Sequence, residues 1–393
     1  MKKILVVDDS ALMRRVLFDI INADDNLTAD QYAVNGLEAL EFLESGIKFD
    51  AIILDINMPR MNGIEFLREM RKRRISIPVL VVSTIAKEGA KETIQALELG
   101  AFDFVTKPDS LSDAKGGKFG DNVKNRLYAA MEISEETAAK PAPAAKKKKP
   151  VMPVLKSVTE EDIKKFEKQE KNREDSHAHH MELKFSGPKI PHSKGPLGVG
   201  AKKLVALACS TGGPKALQYV IPFLPANLDA PVLIVQHMPE DFTKSLSLRL
   251  DELSRIDVTE AEDGEVIRKG KVYLAKGGRQ MRLLEKGKNS HCISVTDEAS
   301  RGGLKPCADI MYESLLKSSF DEITCVVLTG MGADGTKGIL QLEQTNQIYV
   351  IAQDKPTSTV YGMPKAVYEA GAVDEVVALK GIADAITKHV GVH

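Results

Sequence analysis

The chain has 393 residues, 43% hydrophobic and 28% charged, with a formal net charge of −1. That length is more than one ordinary core accommodates and predicts about two to three globular domains. The balanced charge gives no electrostatic reason to expect nucleic acid or an anionic membrane as partner, and MKKILVVDDS is far short of a signal-peptide core or a membrane span. The expected location is therefore the cytoplasm, without membrane insertion.

From residue 1 to about 136, β-rich runs (KILVV, AIILD, PVLVVS, FDFVTK) alternate with amphipathic stretches such as SALMRRVLFDII and GIEFLREMRK. This alternation predicts βα units around a parallel sheet. Phe119, Val123, Leu127 and Met131, at four-residue spacing, predict one more helix. Asp8 and Asp9 end the first strand and Asp55 the third; Ser83 closes PVLVVS and Lys107 closes FDFVTK. Residues at the carboxyl ends of neighbouring parallel strands converge on one crevice. Three carboxylates gathered there call for a hard divalent cation with oxygen ligands.

VVDDS, LDINMP, VVST and FVTKP, over residues 1–122, resemble the receiver domain of two-component response regulators, a flavodoxin-like (βα)5 fold. The resemblance implies that Asp55 accepts a phosphoryl group from a histidine kinase. It implies Mg²⁺ held by Asp9, Asp55 and the backbone carbonyl of Asn57, assisted by Asp8. It also implies that Ser83 binds the phosphoryl group and changes rotamer or position, that Lys107 contacts its oxygens, and that the Lys107–Pro108 bond is cis.

Composition changes over 137–200, which holds seven of the eighteen prolines, the run KKKK at 146–149, and fourteen Lys/Arg against eight Asp/Glu. Such a segment buries too little apolar surface to offset its chain entropy and reads as a disordered linker. Thr159 and Asp162 resemble a capping box for a transient helix. His177, His179 and His180 could bind a metal ion, but in this polar tract a solvated segment is the better reading.

From 201 to 393 a second alternation follows: KLVALAC, PVLIVQH, KVYLAKG, HCISVTD, TCVVLTG and IYVIAQD. It predicts a doubly wound, mainly parallel α/β sheet, with a hairpin where KVYLA and HCISV follow each other without a helix. Cys209, Cys292, Cys307 and Cys325 contain no CxxC pair, which predicts buried reduced thiols rather than a zinc site or disulfides. Ser210, His237 and Asp334 each stand at or just past a strand's carboxyl end, so one crevice can gather a nucleophile, a base and an orienting carboxylate. STGGP also fits a helix start, leaving free N–H groups near Ser210 for an oxyanion. The motif is an imperfect G-x-S-x-G, and the chain order Ser, His, Asp is not that of α/β-hydrolases. GMGADG at 330–335 with Asp354 is a rival dinucleotide fingerprint, but it sets Asp334 where a pyrophosphate would lie and comes late in its domain, so the esterase reading is favoured over it.

ACSTGGPKAL, VQHMP, GKVYLAKGG, KPCADIMYESL, VVLTGMGADGTKG and AQDKPTSTVYGMPKAV resemble the catalytic domain of CheB-type chemotaxis protein-glutamate methylesterases across most of 202–389. The resemblance implies Ser210 as nucleophile, His237 as general acid/base, Asp334 as its orienting carboxylate and the Met331 amide as oxyanion donor, with no cofactor for ester hydrolysis. The implied substrate is glutamyl γ-methyl esters of chemoreceptors, with deamidation of receptor glutamines beside it. This chain departs from the usual family pattern at Ala208-Cys209, Gln280 and Lys305. A regulator that acts by binding, to DNA or as a scaffold of the receptor array, is the competing class. DNA is disfavoured by the absence of a helix-turn-helix pattern.

Overall fold

A computed structural model describes residues 1–84, 87–108, 117–131, 201–287, 290–316 and 318–393. The linker expected over 137–200, with its histidines and lysine run, lies outside the described residues, as does the domain boundary at 136. The parts of the chain on either side of it cluster as one compact unit.

The N-terminal part runs β1 (Lys2–Val7), α1 (Ala11–Asn22), β2 (Leu27–Ala33), α2 (Gly36–Glu44), β3 (Ala51–Asp55), α3 (Gly63–Lys72), β4 (Val79–Ser83), α4 (Lys87–Leu99), β5 (Asp103–Thr106) and α5 (Lys118–Ala130). The strands form one parallel sheet in the order β2-β1-β3-β4-β5. Ile4, Leu5, Val6 and Val7 are all fully buried, as expected of a strand with helices on both faces. Asn62 and Glu65 form a capping box that starts α3. Phe119, Val123 and Leu127 are the buried stripe of α5. β2 is the edge strand that the apolar runs do not mark: only Leu27, Ala29 and Ala33 point inward, and polar residues intervene.

The C-terminal part runs β6 (Lys203–Cys209), α6 (Gly213–Gln218), β7 (Val232–Gln236), α7 (Phe242–Leu253), β8 (Asp257–Glu260), β9 (Lys271–Leu274), β10 (Gln280–Glu285), β11 (His291–Thr296), α8 (Ala308–Leu315), β12 (Glu322–Val327), α9 (Thr336–Glu343), β13 (Ile348–Gln353), α10 (Met363–Glu369), β14 (Glu375–Val377) and α11 (Ile382–Val390). Seven strands make a sheet in the order β14-β13-β12-β6-β7-β9-β8, with every pair parallel.

Two expectations need correction. KVYLA does not form a hairpin with HCISV: β9 lies in the main sheet beside β7 and β8, and the partner of β11 is β10. The run QMRLLE carries polar and charged residues that hide its strand character, and a Lys-Gly-Gly turn precedes it. The Lys107–Pro108 bond is trans, and the cis bond among the described residues is Lys305–Pro306. Trans is the lower-energy form of an X–Pro bond, and Lys107 reaches its carboxylate partners without the cis form. Among the described residues no helix is long and apolar enough to cross a membrane.

Candidate functional site

β12, β6 and β7 are neighbours in the C-terminal sheet, so the residues that leave their carboxyl ends meet. β6 has on one side the next strand in sequence and on the other a strand reached much later, which is where crevices open in α/β sheets. Ser210 follows β6 directly, with its N–H donating to Thr329 O at 3.0 Å. The chain then turns sharply into α6. Gly212 has φ +77°, and a Cβ there would lie 2.4 Å from Thr359 Cβ, so both the turn and the packing require glycine. From the other side the loop after β12 closes in: a Cβ on Gly330 would lie 2.8 Å from Ser210 Cβ.

His237 leaves β7 with its N–H on Cys209 O. Its Nε2 lies 2.7 Å from Asp334 Oδ2, and the two side chains are 10% and 6% exposed. Asp334 is seated on the N-terminus of α8: Oδ2 accepts from the Ala308 N–H at 2.6 Å, and Oδ1 from the Asp309 N–H and the Cys307 thiol, each at 3.1 Å. Burial alone would raise its pKa, but the bond to His237 and the helix N–H groups outweigh this and hold it at about 2. An ionised Asp334 only accepts, so His237 Nε2 carries the proton and Nδ1 is left as the basic nitrogen. Burial, and after it the Asp334 charge, push the Cys307 thiol up to about 12, so it remains a protonated donor.

Ser210 and His237 line one cavity of about 80 Å³. In this structure Ser210 Oγ makes no hydrogen bond to His237 among the described residues, so the structure joins histidine to carboxylate and sets the serine beside them. The N–H groups of Met331 and Thr211 have no hydrogen-bond partner among the described residues. The unpaired Thr211 N–H was not expected from the sequence, and its place directly after Ser210 is the signal that marks it. Burial pushes the Cys209 thiol far up, which removes it as a competing nucleophile.

The dinucleotide reading of GMGADG fails on the same geometry. The Gly335 and Gly338 N–H groups, which a pyrophosphate would need, both donate to Asp309 Oδ1, at 3.0 and 2.8 Å. Asp334 fills the turn itself.

In the N-terminal sheet, Asp8, Asp9 and Asp55 bring carboxylate oxygens within 4.8 Å of one another. Lys107 Nζ lies 2.8 Å from Asp55 and 3.1 Å from Asp8. Burial raises the Asp55 pKa against the pull of Lys107. The Lys107 ammonium is raised: burial alone would lower it, and the charge of Asp55 and then Asp8 reverses this. Three clustered carboxylates are an oxygen donor set of the kind that a hard divalent cation takes. Ser83 is not turned to this cluster. Its hydroxyl accepts from Thr93 Oγ1 at 2.7 Å and donates to Gly89 O at 3.3 Å, both in α4.

The two sites are linked through packing. Thr211 Oγ1 donates to Asp103 Oδ2 at 2.9 Å, and Asp103 is also paired with Arg126 at 3.0 Å. Phe104 stacks on Phe242 with centroids 4.7 Å apart. Arg249 holds Glu98 through Nε at 2.6 Å and Nη2 at 3.4 Å. Asp103, Phe104, Val105, Thr106 and Arg126 therefore wall the cavity that holds Ser210 and His237. A larger, mostly apolar cavity of about 300 Å³, between α3, α4 and α6, touches none of Ser210, His237 and Asp334.

Comparison with known proteins matches residues 205–386 to the CheB methylesterase family model and residues 4–114 to the response regulator receiver domain. The chain is similar to the protein-glutamate methylesterase/protein-glutamine glutaminase of Treponema denticola, 36% identical over 390 residues, covering 98% of each chain. The Pyrococcus horikoshii protein of that name is 39% identical over 389 residues, covering 99% of this chain and 93% of its own. The Bacillus subtilis one is 37% identical over 397 residues and 98% of each.

Proposed function

The chain belongs to the protein-glutamate methylesterase/protein-glutamine glutaminase family, enzymes of the hydrolase class with a receiver domain in front, and on that premise we propose how its residues carry the reaction. The substrate is a glutamyl γ-methyl ester on the cytoplasmic helices of a chemoreceptor. Ser210 Oγ attacks the ester carbonyl while His237 Nδ1 takes its proton, and Asp334 holds the imidazole and stabilises the imidazolium. The N–H groups of Met331 and Thr211 receive the oxyanion. His237 returns the proton to the leaving methoxide, methanol departs, and water hydrolyses the acyl-enzyme. With a glutamine carboxamide as substrate, the same steps release ammonia.

The single observation that carries this reading is the 2.7 Å His237–Asp334 pair, buried beside Ser210 at one edge of the sheet. A serine-directed fluorophosphonate tests it. The expected result is one covalent adduct mapping to Ser210, lost in Ser210→Ala and in His237→Ala; an adduct elsewhere sinks the assignment.

We further infer that the N-terminal domain, residues 1–136 ahead of a linker over 137–200, is a flavodoxin-like receiver, by its 2-1-3-4-5 strand order. The catalytic domain, 201–393, is doubly wound. Asp55 is the phosphoryl acceptor from a histidine kinase, and Lys107 contacts the phosphoryl oxygens. Asp9, Asp55 and the Asn57 carbonyl, with Asp8 beside them, would hold Mg²⁺, whose charge when bound neutralises the transferring oxygens. The hydrolase site needs no cofactor, and its partners are receptor and kinase rather than nucleic acid or membrane.

Unphosphorylated, the receiver restricts the crevice. An 80 Å³ space is far below the roughly 300 Å³ of the smallest ordinary ligand sites, and a receptor helix about 10–12 Å across has no path to Ser210 until the receiver moves. Ser83 is the phosphoryl-binding hydroxyl, and binding there would take it away from Thr93 and Gly89 of α4. The same helix carries Glu98, the partner of Arg249.

A further inference from the structure

We propose that Gln236, together with Cys209, is a positioning pair that fixes the backbone of Ser210 against that of His237; the role rests on the catalytic reading of those two residues given above. Gln236 is the last residue of β7 and is 2% exposed. Its Nε2 donates to Ser210 O at 3.0 Å and to His237 O at 3.1 Å, so both amide hydrogens are used. Its Oε1 accepts from the Cys209 thiol at 3.0 Å. The parallel pairing of β6 with β7 ends at Cys209 opposite Gln236. One residue further on, the chain carries the nucleophile on one strand and the base on the other, and there the side chain of Gln236 joins the two carbonyls.

The surroundings are shaped to this amide. A Cβ on Gly213 would lie 1.9 Å from Gln236 Oε1, so the second glycine of STGG leaves room for the glutamine. Ser210 O also accepts from the Gly213 N–H at 2.7 Å, which ties the start of α6 to the same point. Cys209 completes the amide's hydrogen bonding: burial keeps its thiol protonated, and Oε1 thereby has a donor in a place closed to water. A buried amide with all three groups engaged is rigid, whereas one lacking a partner carries the full cost of its desolvation.

The test compares Gln236→Leu, Cys209→Ala and Cys209→Ser in the full chain, measuring methanol release from methyl-labelled chemoreceptor with kcat and KM separated. A displacement of about 1 Å between reacting groups costs about 100-fold in rate, so Gln236→Leu is expected to lose about that much in kcat with KM nearly unchanged. Cys209→Ser, which keeps a donor to Oε1, is expected to retain several times the kcat of Cys209→Ala. A Gln236→Leu protein with parental kcat and only a lowered Tm would overturn the proposal, leaving a merely structural role. If that variant does not fold, equal kcat in the two Cys209 variants overturns it instead. Ser210→Ala, run alongside, separates the two failures: activity in that variant defeats the catalytic reading, whereas its inactivity beside an undiminished Gln236→Leu defeats the positioning role alone.

Discussion

Asp334 owes its low pKa, against the opposing effect of burial, first to its bond with His237 and then to the helix N–H groups on which it sits, and that makes it the residue whose replacement tells most about the base. Asp334→Asn keeps the shape but can present an amide donor to His237 Nε2, favouring the wrong tautomer, and a loss of about 10⁴-fold in kcat is expected, as for the equivalent change in a serine protease triad. Stability follows with a definite sign. A folded pKa of about 2 lies below the roughly 3.9 of an unfolded aspartate, so the ionised group contributes roughly 2–3 kcal/mol above pH 4. That contribution is lost as pH falls from about 4 through about 2. Urea unfolding of parent and Asp334→Asn should therefore show a gap at pH 6 that narrows as the pH approaches 2; a gap that stays constant would contradict the linkage. At this scale the sequence shows Ser210, His237 and Asp334, because each stands at the end of an apolar run. It does not show that Asp309 occupies the N–H groups of the GMGADG turn, or that Gln236 bridges two carbonyls, because those partners come from distant parts of the chain.

Among elements, β5 and α4 matter most: β5, with Arg126 of α5, walls the cavity that holds Ser210, and α4 packs against α6 and α7. The Arg249–Glu98 pair is partly exposed, at 39% and 21%, and such pairs contribute up to about 1 kcal/mol. Arg249→Ala should raise the activity of the unphosphorylated chain by up to about fivefold and leave the isolated residues 201–393 unaffected, as measured by initial rates of methanol release. No change in the full chain would show that this pair does not help hold the receiver closed. The helices and central strands of both sheets are legible because periodicity and burial coincide there. β2 and β10 are not, since an edge strand and a surface hairpin keep polar residues that break the apolar run. The trans Lys107–Pro108 bond has no sequence signal of its own, and the family resemblance points to the other isomer.

For the molecule as a whole, the receiver and methylesterase parts share one packed boundary, and on the proposed reading a phosphoryl group at Asp55 acts on the esterase by shifting that boundary. A coupling of about 1–3 kcal/mol corresponds to roughly 5- to 150-fold activation. Adding a small phosphodonor should raise turnover in this range, Asp55→Asn should abolish the response, and deleting residues 1–136 should leave a fast, unresponsive enzyme. Rates indifferent to all three changes would remove the regulatory role of the receiver. The central claim, that Ser210 opens the ester with His237 and Asp334 behind it, is tested most directly by methanol release from methyl-labelled chemoreceptor by the chain and by Ser210→Ala. A serine nucleophile predicts steady release by the parent and none above the uncatalysed rate from a variant of unchanged Tm. Release by the variant at the parental rate would contradict it.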